Sequence, residues 1–159
     1  MKEIVLTREK TALVDDEDFE ELNKYKWCTY SGPWGCYAVR ALPRSGGKHR
    51  IVRMHRSILD APDGIQVDHI NHNTLDNRRE NLRLCTNLEN SRNRISIRGS
   101  SRYKGVGWHK QRSKWRAYIK VNGKDISLGL FTKEVDAAVV YNNAAIEHFG
   151  EFANLNEVA

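Results

Sequence analysis

Residues 67–90 read VDHINHNTLDNRRENLRLCTNLEN, and this stretch decides the fold. Before it, APDG (61–64) is a turn. IQVDH (65–69) is short and β-rich, as a strand should be. NHNTLDNRREN (71–81) is polar, has no apolar period and reads as a loop. NLRLC (81–85) alternates, with Leu82 and Leu84 on one face, and reads as a second strand. Thr86 followed by Glu89 is a capping box, so a helix should start there with Asn90 in its first turn. The order is strand, loop, strand, helix, over about residues 62–95.

That order gathers a carboxylate (Asp68), an imidazole (His69) and two amides (Asn81, Asn90). Phosphodiester hydrolysis needs an activated water, a stabiliser for the phosphoryl oxygens and help for the leaving alkoxide. Magnesium, or manganese in its place, takes one or two protein oxygens and keeps waters and substrate phosphate. Asp68 and Asn90 can offer such oxygens to one divalent cation. His69 is suited to act as the base for the water, and Asn81 to orient the imidazole. Neighbouring side chains on a regular strand point to opposite faces. Asp68 and His69 can share a site only if the strand ends or bulges there, so a distortion is expected at 68–69.

Upstream, EIVLT and TALVD read as two short strands, DDEDFEELNKY as an acid-started helical turn, and KWCTY–SGPWG–CYAVRAL as strand, turn, strand. RSGGK (44–48) is a further turn, and IVRMHRSIL passes from strand into helix. Its His55 receives no catalytic role. Downstream, RNRISIRGSS (92–101) reads as a linker. SKWRAYIKV then alternates strictly, with Trp115, Ala117, Ile119 and Val121 on one face and Lys114, Arg116, Tyr118 and Lys120 on the other. Asn122-Gly123 is a type I′ hairpin signal. YKGVGWHK and KDISLGLF supply the flanking strands. Thr132 is the expected cap of a helix running to Phe149, with Val135, Ala138, Val139, Ile146 and Phe149 at apolar spacing and Gly150 as its stop.

The chain has 159 residues and a formal charge of +6, and the placement of that charge is more telling than its size. Residues 98–126 hold nine Lys and Arg against the single acid Asp125, whereas residues 127–159 hold five acids and one base. A positive field confined to one segment fits a polyanionic partner. No window approaches the roughly 18 apolar residues of a membrane span, and the start lacks a signal-peptide core. Three cysteines without a CxxC pair argue against a disulfide framework and a four-cysteine zinc site. The expectation is a reduced, cytoplasmic protein with no membrane and no disulfide partner.

The pairs Asp68-His69, Asn81-Leu82 and Glu89-Asn90 resemble the HNH endonucleases with a ββα-metal motif, in the homing-endonuclease-like branch often found in phages, where asparagine replaces the last histidine. The resemblance implies Asp68 and Asn90 as metal ligands, His69 as general base and Asn81 as its orienting partner. The family often carries glycine where this chain has His72. YKGVGWH, KWRAYIKVNGK, SLGLF, DAAVVYNNAA and FGEFANLN resemble the plant Apetala/ethylene-response-factor DNA-binding domain. That resemblance implies a sheet laid on duplex DNA, with Lys104, Trp108, Lys110, Arg116, Tyr118 and Lys120 as contacts.

The expected architecture is α+β. A small N-terminal α+β unit leads into the ββα-metal motif (domain 1–97), followed by a three-stranded antiparallel sheet packed on one helix (98–159). The expected protein is a divalent-metal-dependent endonuclease that nicks double-stranded DNA as a monomer or weak dimer. Two rivals stand beside it, a DNA-binding regulator with an inactive HNH unit and an RNA-acting nuclease.

Overall fold

The computed structural model describes residues 1–42, 50–95 and 99–158, which form two compact α+β units, Met1–Asn87 and Leu88–Ala159. The expected turn at 44–48 lies outside the described residues, as does the middle of the expected linker, 96–98.

In the first unit, β1 (Lys2–Val5) and β2 (Thr11–Val14) form an antiparallel hairpin that turns Ile4, Ala12 and Val14 into the core. α1 (Asp16–Leu22) opens with Asp16, Glu17 and Asp18, acids placed at the positive end of its dipole. β3 (Cys28–Gly32), β4 (Gly35–Ala41) and β5 (Ile51–Arg53) make a three-stranded antiparallel sheet. β5 runs directly into α2 (Met54–Ile58). β6 (Gln66–His69) and β7 (Leu82–Cys85) form the second expected ribbon. Ile4, Val14, Trp27, Met54, Val67 and Leu82 meet in one core, which ties the first hairpin and α2 to the β6–β7 ribbon. Trp27 also satisfies its indole N–H on the Leu22 carbonyl at 2.8 Å. Leu84 is expected on the face of Leu82, but it is 46% exposed while Leu82 is buried.

The second unit begins with α3 (Asn87–Asn93), whose first residue belongs to the first unit. β8 (Val106–His109), β9 (Lys114–Val121) and β10 (Lys124–Phe131) form an antiparallel sheet in the order β10-β9-β8. Asn122 and Gly123 both have positive φ, 49° and 82°, as a type I′ turn requires. Ala117 and Ile119 of β9 face inward and are fully covered, while Trp115 is partly buried against a cluster that includes Ala137 and Ala138.

α4 (Glu134–Phe149) differs from expectation in two ways. The residue at its N-cap is Lys133, and no side chain caps the helix, so Thr132 does not perform that role. Its buried face is Ala137, Ala138, Tyr141, Ala144, Ala145 and Phe149, whereas Val139 and Ile146 are 42% and 54% exposed. A face of alanines lets the helix lie close to the sheet, and packing geometry overrides the larger apolar positions. Gly105 shows how close the approach is. It has φ +71°, and a Cβ there would stand 2.0 Å from Cδ2 of Tyr141. Asn142 secures the C-terminal tail through both ends of its amide, accepting from Asn156 N and donating to Asn156 O. No helix among the described residues is long and apolar enough to cross a membrane.

Candidate active site and nucleic-acid face

The β6–β7 ribbon sets the site by cross-strand pairing. Its register runs Gln66↔Cys85, Val67↔Leu84, Asp68↔Arg83 and His69↔Leu82 without a shift. Of the two forms expected at 68–69, a strand end or a bulge, the bulge is absent and the strand end is present. β6 stays regular and ends at His69, and the two side chains keep separate neighbours.

Asp68 is 6% exposed and lies directly opposite Arg83. The guanidinium donates to Asp68 Oδ2 from Nε at 3.0 Å and from a terminal nitrogen at 2.7 Å. His69 is 5% exposed and sits among rings from other elements. Its centroid lies 5.0 Å from that of His55 on α2 and 6.3 Å from that of Tyr37 on β4, both in edge contact. Tyr37 and His55 are themselves 5.8 Å apart, which completes a ring triad. Burial holds the His69 imidazole below its ordinary pKa, and Asn77 and the carboxylates of Asp68 and Asp76 offset this only partly. His69 is thus a neutral imidazole at neutral pH.

The side chain that meets His69 is Asn77, whose Oδ1 stands 3.4 Å from Nε2. Asn77 is fully buried, and its Nδ2 donates to Leu75 O, which fixes the amide orientation. With Oδ1, an acceptor, turned to the ring, this contact suits the tautomer that carries its proton on Nε2. Asn81, expected in this role, has its amide committed elsewhere. Its Oδ1 accepts from Asn71 N at 2.9 Å and its Nδ2 donates to Asp76 O at 2.8 Å. Asn81 is therefore the clasp of the loop 71–80. Asp76 braces the same loop, accepting from Asn71 Nδ2 and from both arms of Arg78. Leu13 N donates to Leu75 O and Asn77 N to Leu13 O, which fasten the loop to the first hairpin. His72, where the family pattern often has glycine, adopts φ 64°. That is the left-handed region in which glycine carries no penalty.

Sequence reasoning missed Asn77, His55, Tyr37 and Arg83. Asn77 looked like one more loop residue in an asparagine-rich run. His55 carried a signal, a histidine inside the otherwise apolar turn of MHRSIL. Its Nδ1 is buried without a hydrogen-bond partner, and burial, with His69 and two arginines nearby, lowers its pKa to about 3.

Asn90 sits half-buried on α3, in the second unit. That helix is held at its C-terminal end. Lys104 Nζ donates to Arg92 O and Arg94 O, Asn154 Nδ2 donates to Asn93 O at 2.9 Å, and Arg92 stacks over Phe149. Lys104 is partly buried by this duty, which lowers its pKa to about 8. Its ammonium therefore points at helix carbonyls, and not at the surface where Trp108 stands. Among the described residues, no group of three or more His, Cys, Asp or Glu side chains gathers as a metal centre. The donor set implied by the sequence, one carboxylate and one amide oxygen, is of a different kind and suits a hard cation that keeps most of its waters.

On the sheet, Trp108, Lys110, Arg116 and Tyr118 line one concavity of about 380 Å³ together with Ser100 and His109. Arg116 lies over the Tyr118 ring at 4.8 Å, and Trp108 meets Trp115 edge-on at 5.1 Å. Lys120, exposed on β9, lines a separate concavity with Lys104, Arg92 and Tyr141.

The HNH endonuclease family pattern matches residues 60–92. The chain is 36% identical over 149 residues to an uncharacterised HNH endonuclease of Acanthamoeba polyphaga mimivirus, covering 92% of this chain and 75% of that protein. It is 34% identical over 82 residues to Protein 3.8 of Escherichia phage T7, covering 48% of this chain and 68% of that protein. Over 63 residues it is 46% identical to the AP2-like ethylene-responsive transcription factor PLT2 of Arabidopsis thaliana, a match to 38% of this chain and only 10% of that protein. No solved structure matches the chain.

Proposed function

Because the chain belongs to the HNH endonuclease family, we propose that it is a divalent-metal-dependent DNA endonuclease that nicks one strand per active site. The observation that carries this reading is the buried, neutral His69 beside the buried carboxylate of Asp68. In this proposal His69 Nδ1 takes the proton of the attacking water, while Asn77 holds the Nε2–H and so fixes the tautomer. Asn81 supports the base indirectly, by closing the loop that carries Asn77. Asp68 and Asn90 would hold the divalent cation, a Mg2+ or a Mn2+, as the motif implies. Once bound, that ion would supply positive charge for the phosphoryl oxygens and the leaving alkoxide.

The C-terminal piece, 98–159, would hold duplex DNA through Trp108, Lys110, Arg116, Tyr118 and Lys120 on its basic sheet face. The partial likeness to plant AP2-like factors and the concentration of positive charge support that role. Lys104 is better assigned to α3 than to DNA, because its ammonium donates to two backbone carbonyls, Arg92 O and Arg94 O. The reading is tested on supercoiled plasmid with Mg2+, comparing the intact chain with His69→Ala. Nicking by the intact chain and a loss of about 100-fold or more in the variant are expected. A chain that binds the plasmid and leaves it closed would be the DNA-binding regulator instead.

A further inference from the structure

We propose that Arg83 is a resident counter-cation, which a divalent ion must displace from Asp68 on binding and which is then released toward a phosphate oxygen of the nucleic acid. This rests on the reading of Asp68 as a metal ligand. The argument starts from the ribbon. Asp68 and Arg83 are register partners, so their meeting is set by backbone pairing. Their side chains are only 7% and 11% exposed, and little water screens the pair. Two guanidinium nitrogens reach the Asp68 carboxylate at Oδ2, at 3.0 and 2.7 Å.

A guanidinium does not lose its proton, so it cannot vacate the carboxylate by neutralising. A second cation brought to the same buried group is repelled by the first, strongly where water is excluded. Loading a divalent ion therefore requires Arg83 to give up part of its hold. A fork so loosened from its carboxylate has a phosphodiester as the anion it fits best. Metal and DNA should consequently each improve binding of the other, since coupling between two sites is reciprocal.

The test uses the full-length protein and Mn2+ titrated without DNA, with free Mn2+ read by electron paramagnetic resonance. Arg83→Met should bind Mn2+ at least about tenfold more tightly than the unaltered chain, and Asp68→Asn should lose the site. A cross-strand staple with no bearing on the ion would give Arg83→Met an unchanged or weaker affinity, and that result overturns the inference alone. Unchanged Mn2+ binding by Asp68→Asn overturns the ligand assignment and the inference with it. Should circular dichroism show Arg83→Met unfolded, Arg83→Lys replaces the fork by a point charge and should still tighten Mn2+, by a smaller factor; no tightening counts against. The second half is read in the His69→Ala background, which keeps the strand intact. Mn2+ should raise the affinity for a labelled duplex more with Arg83 present than with Met there, where only the ion's own contact with phosphate is left. Equal gains in both would remove the phosphate role.

Discussion

His69 owes its character to its neighbours, and each of them gives a separate handle. Asn77→Ala should lower the nicking rate about 10- to 100-fold by releasing the ring from its tautomer, while plasmid binding stays as before. Asn81→Ala should instead weaken the fold, since it removes bonds to Asn71 N and Asp76 O. Parallel rate and urea-denaturation measurements on the two variants separate the roles. His55 offers a pH handle. Its folded pKa is about 3 against 6.5 for a free imidazole, so the unfolded chain binds the extra proton between those values. Stability from this group is complete above pH 6.5 and falls as pH drops through the window. His55→Phe should flatten the acid limb by up to one proton of slope between pH 6.5 and 4, measured by urea unfolding. Tyr37, His69, Arg53 and Arg56 surround the ring and are unchanged in that comparison.

Among the elements, the strands were the most readable. Alternation marked β7 and β9, short β-rich runs marked β1, β2 and β6, and the Asn-Gly pair marked the β9–β10 turn. Two things escaped. The buried face of α4 rests on alanines, which carry little hydrophobic signal and are chosen by how closely helix and sheet approach. The hydrogen bonds of the loop 71–80 were equally hidden, because six asparagines in 71–90 look alike in sequence and only the folded backbone says which amide reaches which ring. The form that β6 takes at its end was undecided for a related reason. The sequence left open whether the strand ends or bulges at 68–69, and the ribbon ends at His69 with its register unbroken. The tight helix–sheet contact has its own consequence. Gly105→Ala should cost more than about 1 kcal/mol in urea unfolding, because both the positive φ and the Tyr141 ring oppose a Cβ.

For the whole molecule, the sequence made the family and the α+β class readable, since a metal-site motif survives in short strings of fixed spacing. The charge map was readable too, and it leads to an expectation about DNA. Arg116→Gln should weaken duplex binding across unrelated sequences and lessen the salt slope by about one, as a lost phosphate contact does. Lys104→Met should leave that slope nearly unchanged, because its ammonium already serves α3. Fluorescence anisotropy of a labelled duplex over a salt series distinguishes them. Truncation is a poorer experiment. Removing 102–159 would strip Lys104 and Asn154 from the helix that bears Asn90, and so disturb more than DNA affinity.

The fastening of α3 by Lys104 and Asn154 also bears on protein engineering. A chimera joined in the middle of 92–101, where the string looks most like a spacer, would separate a helix from the parts that finish it. Transplanting the basic sheet onto another nuclease calls for a junction ahead of Leu88, so that the helix travels with its own clamp.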